Sequence, residues 1–239
     1  MAKKEKNCVG RTNESDRERW LEKTLSKIPQ GKRILDAGAG TQRYKKFCGH
    51  LEYVSQDFAQ YDGSGDGAGL QKGEFDYSRL DIVSDITNIP EADASFDAIM
   101  CIEVLEHLPN PIEAVRELSR LLKEDGKLIV TAPFCSLTHF APYHFSSGFN
   151  RYWFEEHFAS YGLEIEEITP NGNFFEFLAQ EVKRIPSITK KYTDTKVSFW
   201  EKQYIKLMRR MLQRLSRRDN GSYEVLNYGY QVVAVKKTK

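Results

Sequence analysis

The segment 33–41 reads Arg-Ile-Leu-Asp-Ala-Gly-Ala-Gly-Thr, which combines a carboxylate with two glycines. A short apolar run leads into Asp36, and a turn containing Gly38 and Gly40 follows. Because glycine has no Cβ, the backbone can turn tightly there and a ligand can approach it closely. The pattern predicts a binding site for a nucleotide-like cofactor at the carboxyl end of a strand.

The charge and spacing of this turn separate two kinds of cofactor. A dinucleotide site uses a third glycine to open its phosphate-binding helix, and this chain has Gln42 there. A helix N-terminus binds a pyrophosphate, so Asp36 would place negative charge near that anion. S-adenosylmethionine carries a sulfonium and an ammonium instead. The acidic turn therefore favours this cationic cofactor.

Three more acidic residues follow predicted strands. Asp57 lies nineteen positions beyond Gly38, close to where a carboxylate at the end of a second strand would bind ribose hydroxyls. Asp85 ends a third strand-like run and would lie beside an adenine amino group. Glu103 ends a fourth, mostly apolar run. The four acidic residues recur at successive strand ends, as expected for one continuous cofactor site.

These motifs, in this order, resemble the class I S-adenosylmethionine-dependent methyltransferases, in particular the small-molecule type 11 group, over roughly residues 32–168. The resemblance depends on the glycine turn, on Asp57 and Asp85, and on the runs 96–108 and 121–130. It implies roles for seven residues: Asp36, Gly38 and Gly40 at the methionine end, Asp57 at the ribose, Asp85 and Ile86 at the adenine, and Glu103 at the pocket wall. Gln42 departs from the glycine of many members, at a position that varies within the family.

The fold expected from this resemblance is a Rossmann-like α/β fold, a mostly parallel seven-stranded sheet with an antiparallel last strand and helices on both faces. Strands that alternate with helices independently predict a parallel sheet with right-handed crossovers and ligands at its strand ends. Hydrophobic periodicity places helices at 16–28, 111–123 and 199–218, and strands at 51–55, 80–86, 95–102, 163–169 and 228–235.

Length and composition predict a single methyltransferase domain, because 239 residues with 40% hydrophobic content can bury a sizeable core. Its predicted parts are an N-terminal helical segment at 1–31, a cofactor-binding core at 32–171, a basic helical insertion at 172–227 and a final strand at 228–239. The four cysteines lack CxxC or metal-like spacing, and no apolar run of spanning or leader type is present. We therefore expect a cytoplasmic protein, with contact to a membrane surface left open.

The segment 131–153 is predicted to face the acceptor, since the family's substrate-facing stretch follows the fifth strand. It is rich in aromatic residues and contains His139 and His144, which can accept a proton near neutral pH. Both are our candidates for the catalytic base. We expect methyl transfer to a small-molecule or glycan-like acceptor at oxygen, where holding the reactants in line supplies much of the rate. A glycine-dense stretch at 61–73 is predicted to be a mobile surface loop.

A metal-dependent reaction is an alternative, because Glu103, Glu106 and His107 can bring three ligands onto one face, with His144 as a fourth. The spacing resembles that of quinone-precursor O-methyltransferases and of enzymes that methylate the 3′ end of small RNA. Members without metal carry it too, so a divalent metal is not favoured. The other two functions considered are metal-assisted methylation of a nucleic-acid hydroxyl and a cofactor-binding interaction module without turnover.

Charge is distributed unevenly along the chain. Residues 183–239 hold 15 Lys and Arg against 4 Asp and Glu, whereas residues 1–182 hold 20 against 30. Within the basic part, 199–218 carries an apolar stripe at helical spacing surrounded by Lys and Arg. The stripe predicts packing within the domain or in a homodimer, or contact with a membrane surface. Nucleic acid is the least favoured partner, since the chain has no recognisable base-reading module.

Overall fold

The computed structural model describes residues 9–71, 73 and 75–237. The helices are α1 Asn13–Leu25, α2 Pro111–Leu121, α3 Arg151–Ser160, α4 Phe174–Tyr192 and α5 Phe199–Ser216. The strands are β1 Arg33–Ala37, β2 Glu52–Asp57, β3 Ile82–Val83, β4 Phe96–Ile102, β5 Leu122–Pro133, β6 Leu163–Asn171 and β7 Gly229–Lys236. Three short 3₁₀ turns complete the described elements.

The seven strands form one sheet in the order β3-β2-β1-β4-β5-β7-β6. Strand β1 pairs in parallel with β2 and β4, and β4 pairs in parallel with β5. The pairing of β7 with β5 is antiparallel and runs from Lys127 opposite Val235 to Pro133 opposite Gly229. This is the predicted α/β fold, and the order reverses at β1 and β4, where open sheets of this kind bind ligands.

Alternate residues of the central strand β4 serve two hydrophobic cores. Phe96, Ile99 and Cys101 belong to the core that also contains the apolar faces of α2 and α3. Ala98 and Met100 belong to the second core, which includes residues of α1. Since successive side chains of a strand point to opposite faces, helices cover both faces of the sheet as predicted.

The structure differs from the prediction in one strand and one helix. The strand expected over 80–86 is only Ile82–Val83, because the Asp81 carboxylate accepts hydrogen bonds from the backbone nitrogen and hydroxyl of Ser55 at 2.9 and 2.7 Å. A side chain thus replaces the backbone ladder at this sheet edge. Helix α4 was not predicted as a separate element, although the capping residue Asn173 accepts a bond from the backbone nitrogen of Glu176.

Contacts within the chain define two compact units. We call the described residues of 19–169 and 229–239 the core unit, and those of 1–18 and 170–228 the helical unit. The helical unit includes the whole of the predicted basic insertion at 172–227, and the single-domain organisation stays a prediction. No helix in the described ranges is both long and apolar enough to cross a membrane. Cys48, Cys101 and Cys135 are free thiols, whereas Cys8 lies outside the described residues.

Candidate active site

The glycine turn after β1 is held by the end of β2. The backbone nitrogens of Gly38 and Ala39 both donate to the carbonyl oxygen of Gln56 at 2.9 Å. Gly38 has φ +78°, and a Cβ built there would lie 2.5 Å from Cγ2 of Val104. A larger residue would therefore be strained and would also clash with the segment after β4. The sequence needs glycine at this position on both counts.

Asp57 at the end of β2 fixes the same turn from its other side. Its carboxylate accepts hydrogen bonds from the backbone nitrogen of Gly40 at 2.8 Å and from that of Ala59 at 3.0 Å. Burial raises the pKa of Asp57, while these backbone donors lower it and offset part of the effect. Each oxygen keeps a second lone pair, so the carboxylate can still accept bonds from ligand hydroxyls.

The loop that carries Asp85 and Ile86 is held by helix α2. The backbone nitrogen of Ile89 donates to Oε1 of Glu117 at 2.8 Å, and hydrogen bonding to Arg120 lowers the pKa of Glu117 below its usual range. Asp85 accepts bonds from the backbone nitrogen and hydroxyl of the residue two positions on, at 2.8 Å each. The loop is thus a tight, anchored turn at the edge of the cleft.

Glu103 follows β4 in the left-handed backbone region, with φ +56°. Its backbone nitrogen donates to the carbonyl oxygen of Thr131 at 2.9 Å, and its Oε1 accepts from the Thr131 hydroxyl at the same distance. Because a non-glycine residue in this region costs about 1–3 kcal/mol, the surrounding contacts must hold it there. Glu103 is positioned by β5 and faces the cleft.

These groups line one cleft of about 600 Å³, a volume typical of small-molecule sites. All its described lining residues belong to the core unit. Six of the seven residues predicted for the cofactor line it, namely Gly38, Gly40, Asp57, Asp85, Ile86 and Glu103. Three carboxylates face the cleft, and none of its described lining residues is Lys or Arg. The electrostatics of the cleft favour a cationic ligand over a pyrophosphate.

The placement of Asp36 corrects the seventh assignment. Asp36 is only 1% exposed and does not line the cleft, and its Oδ2 accepts a hydrogen bond from the Tyr53 hydroxyl at 2.6 Å. Burial raises the pKa of Asp36 to about 7, although the Tyr53 bond works in the opposite direction. Its side chain points to the face of the sheet shared by Ile34, two residues earlier in β1. Asp36 thus lies behind the glycine turn, outside the cleft lining.

Gln42 occupies the position of the missing third glycine in a glycine-like conformation, with φ +57°. Its amide nitrogen donates to the Ser55 hydroxyl at 3.1 Å and to the carbonyl oxygen of Arg79. The side chain thereby ties the turn to the strand beside it. Gln42 supports the turn from outside the cleft.

An aromatic wall closes another side of the cleft. Two of its rings, Phe140 and Tyr143, come from the segment 131–153 predicted to face the acceptor, whereas the other three were not identified from the sequence. Tyr61 begins the glycine-dense stretch at 61–73 and Phe75 follows it, and their ring centroids are 5.2 Å apart. Tyr61 also packs on Phe140 at 4.6 Å, and Phe58 meets Tyr143 edge to face at 5.0 Å. All five rings line the cleft. We call these five residues the aromatic wall.

The stretch 61–73 is therefore more than the surface loop that was predicted. Leu70 forms a parallel bridge with His139, and its backbone nitrogen donates to the carbonyl oxygen of Thr138 at 2.9 Å. A Cβ on Gly69 would lie 2.5 Å from that oxygen, and one on Gly65 would overlap the carbonyl oxygen of Ala141. The glycines allow two backbone segments to pack closely together. Their density in the sequence was the signal that could have indicated this packing.

A second cluster lies beside the aromatic wall. The Nε2 atoms of His107 and His139 lie 3.7 and 3.9 Å from Oε1 of Glu106, which is 1% exposed. Each Nδ1 contacts a backbone carbonyl oxygen, that of Tyr143 at 2.6 Å for His107 and that of Leu137 at 2.8 Å for His139. A carbonyl only accepts, so each Nδ1 must be the donor. The two Nε2 atoms are then set to accept a proton or bind a cation.

This grouping corrects the predicted ligand set. The described residues bring together Glu106, His107 and His139, whose ligand atoms lie within 4.8 Å of one another. Glu103 is bound to Thr131 instead. His144 lies nearby, with its ring 4.9 Å from that of His139, but its Nε2 contacts the Ser136 hydroxyl at 3.1 Å. Burial lowers the pKa of His144.

The histidine that lines the cleft is neither of the two predicted bases. Neither His139 nor His144 lines the cleft, whereas His107 does, with its ring stacked on Phe140 at 4.8 Å. His139 contacts the ring of His107 at 4.6 Å and is part of the cluster. The catalytic roles of His139 and His144 stay predictions.

Comparison with known proteins now identifies the family. Residues 10–168 match the family described as "Methyltransferase domain", which is more than half of the chain. The chain belongs to the methyltransferase domain family. The match covers every residue that lines the cleft, together with the cluster beside it.

Curated relatives of this methyltransferase domain match over shorter segments. The ubiquinone biosynthesis O-methyltransferase of Xanthomonas axonopodis pv. citri is 34% identical over 107 residues, which is 43% of this chain and 44% of the relative. That of Xanthomonas oryzae pv. oryzae is 43% identical over 58 residues, 24% and 23% of the two chains. These alignments span from about a quarter to under half of the relatives' length.

Solved structures support the fold over most of the chain. A SAM-dependent methyltransferase from Archaeoglobus fulgidus superposes with TM-score 0.56 at 14% identity, over 93% of this chain and 94% of that one. The [4+2]-cyclase SpnF superposes with TM-score 0.55 at 18% identity, over 93% and 81%. Since one of these neighbours is named a methyltransferase and the other a cyclase, the fold alone does not determine the reaction.

Proposed function

We propose that the protein is an S-adenosylmethionine-dependent methyltransferase that methylates a hydroxyl oxygen of a small-molecule or glycan-like acceptor. One observation supports the cofactor above all, the cleft with Asp57, Asp85 and Glu103 facing it and no Lys or Arg among its described lining residues. A sulfonium and an ammonium are attracted to such a cleft, whereas a dinucleotide would bring its pyrophosphate near three carboxylates.

The cofactor contacts follow from the positions of the cleft residues. Asp57 would accept bonds from ribose hydroxyls through the lone pairs that Gly40 and Ala59 leave available. Asp85 and Ile86 would meet the adenine, and Glu103 would face the cationic end. Gly38 and Gly40 keep the backbone free of Cβ atoms where the cofactor passes closest.

An oxygen acceptor is favoured by the cluster of Glu106, His107 and His139. A hydroxyl is a weak nucleophile until its proton moves to a base, and imidazole is suited to accept it near neutral pH. His107 lines the cleft, but its Nε2 atom is buried. His139 is the most accessible member of the cluster, with a side chain 18% exposed, compared with 12% for His107 and 1% for Glu106. We assign proton acceptance to Nε2 of His139, with the resulting imidazolium stabilised by the Glu106 carboxylate 3.9 Å away.

The aromatic wall supports a planar or ring-shaped acceptor. The ring of Tyr61 packs against those of Phe140 and Tyr143 in the cleft wall, and His107 stacks on Phe140. Apolar and aromatic faces stabilise both aromatic rings and the apolar faces of sugars. The relatives named for O-methylation in ubiquinone biosynthesis agree with a hydroxylated ring.

A second candidate is metal-assisted O-methylation at the same cluster. Two imidazoles and a carboxylate suit a divalent transition metal, and both imidazoles have the Nδ1 hydrogen bond to a backbone carbonyl that orients metal-bound histidines. The residues present therefore fit a metal held by Glu106, His107 and His139. When bound, such a metal would lower the pKa of a nearby acceptor hydroxyl.

The test is methyl transfer from radiolabelled S-adenosylmethionine to a panel of catechols and free sugars, with amines and thiols included for comparison. We expect labelled product from at least one class of hydroxyl acceptor, and a loss of about a hundredfold in kcat for His139→Gln, within the usual range for removing a general base. The matched control is His157→Gln, on α3 outside the cleft. Activity only on amine or thiol acceptors would contradict the oxygen assignment.

Metal content distinguishes the two candidates. Purified protein is dialysed against chelator, and bound metal is measured by plasma mass spectrometry before and after addition of zinc, manganese or magnesium. Stoichiometric metal that is lost in Glu106→Gln but kept in His157→Gln supports the metal-assisted reaction. Full turnover in chelator, with no bound metal, supports His139 as a metal-independent base.

A further inference from the structure

Helix α5 in the helical unit presents an apolar face to solvent. Trp200, Tyr204, Leu207 and Met211 recur at intervals of four, three and four residues, which places them on one side of the helix. They are 70%, 68%, 62% and 44% exposed, and Met208 beside them is 47% exposed. We call these five residues the α5 stripe. A contiguous patch of this kind marks a surface that binds something else.

The helix is a stable platform for this face. Its N-terminus has a capping box in which Ser198 and Glu201 satisfy each other's backbone nitrogens. Its opposite side packs within the helical unit, where Leu212 is 4% exposed in a small core with Val9 and Ala179. The stripe is therefore the side of α5 that the unit's own core leaves outside.

Basic residues border and extend the stripe. Arg214 lies seven positions after Leu207 and is exposed, so it occupies the same face one heptad further on. Arg210 is exposed along one edge of the stripe. The helix carries five Lys or Arg residues and a single acidic residue, Glu201, which is engaged in the capping box. The contact surface thus combines bulky apolar side chains with the positive charge of Arg210 and Arg214.

We propose that the α5 stripe binds the surface of an anionic lipid bilayer. An interfacial helix inserts its aromatic and aliphatic side chains below the headgroups, and its flanking Arg and Lys bind the headgroup phosphates. Trp200 and Tyr204 have the amphipathic rings that favour this depth. The helix lies along the bilayer surface, since no described helix is long and apolar enough to cross it.

Two other occupants fit the same face less well. A second copy paired through the stripe would bring Arg210 and Arg214 of both copies together, and the one carboxylate of each helix, Glu201, is held in its capping box. A nucleic acid needs cations at the centre of its contact, where this face has Trp200, Leu207 and Met211. An anionic bilayer offers an apolar interior to the stripe and negatively charged headgroups to the arginines beside it.

The test is cosedimentation of the full chain with vesicles. The two vesicle compositions are pure phosphatidylcholine and phosphatidylcholine with about one third phosphatidylglycerol. We expect binding to the anionic vesicles at least about tenfold stronger than to the neutral ones, and weakening as salt is raised. The measurement needs no turnover, so it is independent of the proposed methyl transfer.

Two sets of variants connect the binding to this face. Trp200→Ser/Leu207→Ser removes apolar contact, and Arg210→Gln/Arg214→Gln removes charge; each should reduce vesicle binding by about tenfold or more. The matched controls are Tyr152→Ser, whose side chain is 60% exposed on α3, and Lys23→Gln/Lys27→Gln, exposed in the core unit. Melting curves check that each variant is folded. If Trp200→Ser/Leu207→Ser unfolds, Arg210→Gln/Arg214→Gln tests the proposal by itself.

Several results would overturn the proposal. One is the absence of cosedimentation with anionic vesicles, and another is binding that both stripe variants leave intact. A concentration-dependent dimer in light scattering that Trp200→Ser/Leu207→Ser dissociates would assign the face to a second copy. Tighter binding to a fluorescent oligonucleotide than to vesicles would assign it to nucleic acid.

Discussion

The cleft of the core unit and the α5 stripe of the helical unit have opposite character. The cleft is concave, has Asp57, Asp85 and Glu103 in its lining, and is built at the ends of parallel strands. The stripe lies on one helix among basic residues, with Trp200 70% exposed. Preorganised acids in a cleft suit a small cationic ligand, whereas an exposed apolar helix face with basic neighbours suits an extended anionic surface.

The largest effect expected from this contrast is a change in stability with pH that depends on Asp36. Its pKa is raised to about 7 in the folded protein, so between about pH 4 and pH 7 the native state binds more protons than the unfolded state. Its ionisation therefore costs stability as the pH rises through this window. Asp36→Asn mimics the protonated form, and its stability relative to the wild type should rise by about 2–3 kcal/mol from pH 5 to pH 8.

Urea denaturation at several pH values measures this difference. Tyr53→Phe is the companion variant, because it removes the hydrogen bond that favours the ionised form of Asp36. It should steepen the loss of stability with pH, and Asp36→Asn should flatten it. Parallel pH profiles for Asp36→Asn and the wild type would contradict the burial of this charge.

The next largest effect concerns the shape of the cleft at Gly38. Its positive φ and the nearby Val104 side chain make any Cβ unfavourable, at a cost of about 1–3 kcal/mol. Gly38→Ala should therefore weaken binding of S-adenosylhomocysteine by about tenfold or more in calorimetry. Gly49→Ala is the matched control, since a Cβ at Gly49 has nothing within 4 Å. Equal affinities for the two variants would show that the turn tolerates a side chain.

A smaller loss of affinity is expected when a hydrogen-bonding group of the cleft is removed. Asp57→Ala removes the acceptor of the backbone nitrogens of Gly40 and Ala59 and of the ribose hydroxyls. The free energy of cofactor binding should become less favourable by about 1–2 kcal/mol. The matched control is Glu52→Ala, an exposed acidic residue at the start of the same strand. An unaltered dissociation constant for Asp57→Ala would exclude its ribose role.

The charge of the cleft predicts a smaller, selective effect. Glu103→Gln keeps an acceptor for the Thr131 hydroxyl but removes one negative charge. S-adenosylmethionine carries a sulfonium that S-adenosylhomocysteine lacks. The affinity of Glu103→Gln for S-adenosylmethionine should therefore fall several-fold more than its affinity for S-adenosylhomocysteine, a difference of about 1 kcal/mol. Titration of both ligands measures the difference, and equal losses would mean that Glu103 does not face the cationic end.

The smallest effect belongs to the stripe. Every described residue that lines the cleft is in the core unit, so Trp200→Ser/Leu207→Ser should leave the affinity for S-adenosylhomocysteine within about twofold. Calorimetry under the same conditions as for Gly38→Ala provides the comparison. A large loss of affinity in the stripe variant would mean that the two surfaces are energetically coupled.

Local sequence patterns were sufficient to predict the acidic residues that line the cleft. Asp57, Asp85 and Glu103 each end or follow a strand, and parallel strands bring such residues to one edge whatever their separation in the chain. The strand period also contained the correction for Asp36, which shares its sheet face with Ile34. Tyr53 in β2 is opposite Ile34 and therefore lies on the same face, where its hydroxyl donates to Asp36.

The acceptor side could not be predicted in the same way, because it depends on contacts between distant loops. The bridge from Leu70 to His139 joins two irregular segments that have no periodicity. His139 lies within this bridge, and its Nε2 is 3.9 Å from Oε1 of Glu106, so the cluster combines residues from segments far apart in the chain. Gly65 and Gly69 signal a close approach of two backbones but not the identity of the partner.

The most direct test of the central claim is calorimetric titration of the purified protein with S-adenosylmethionine, S-adenosylhomocysteine and NAD. An acidic cleft without Lys or Arg among its described lining residues predicts micromolar binding of the first two ligands and no measurable binding of NAD. Binding of NAD alone would contradict the account and would show that Gln42 opens a phosphate-binding turn after all.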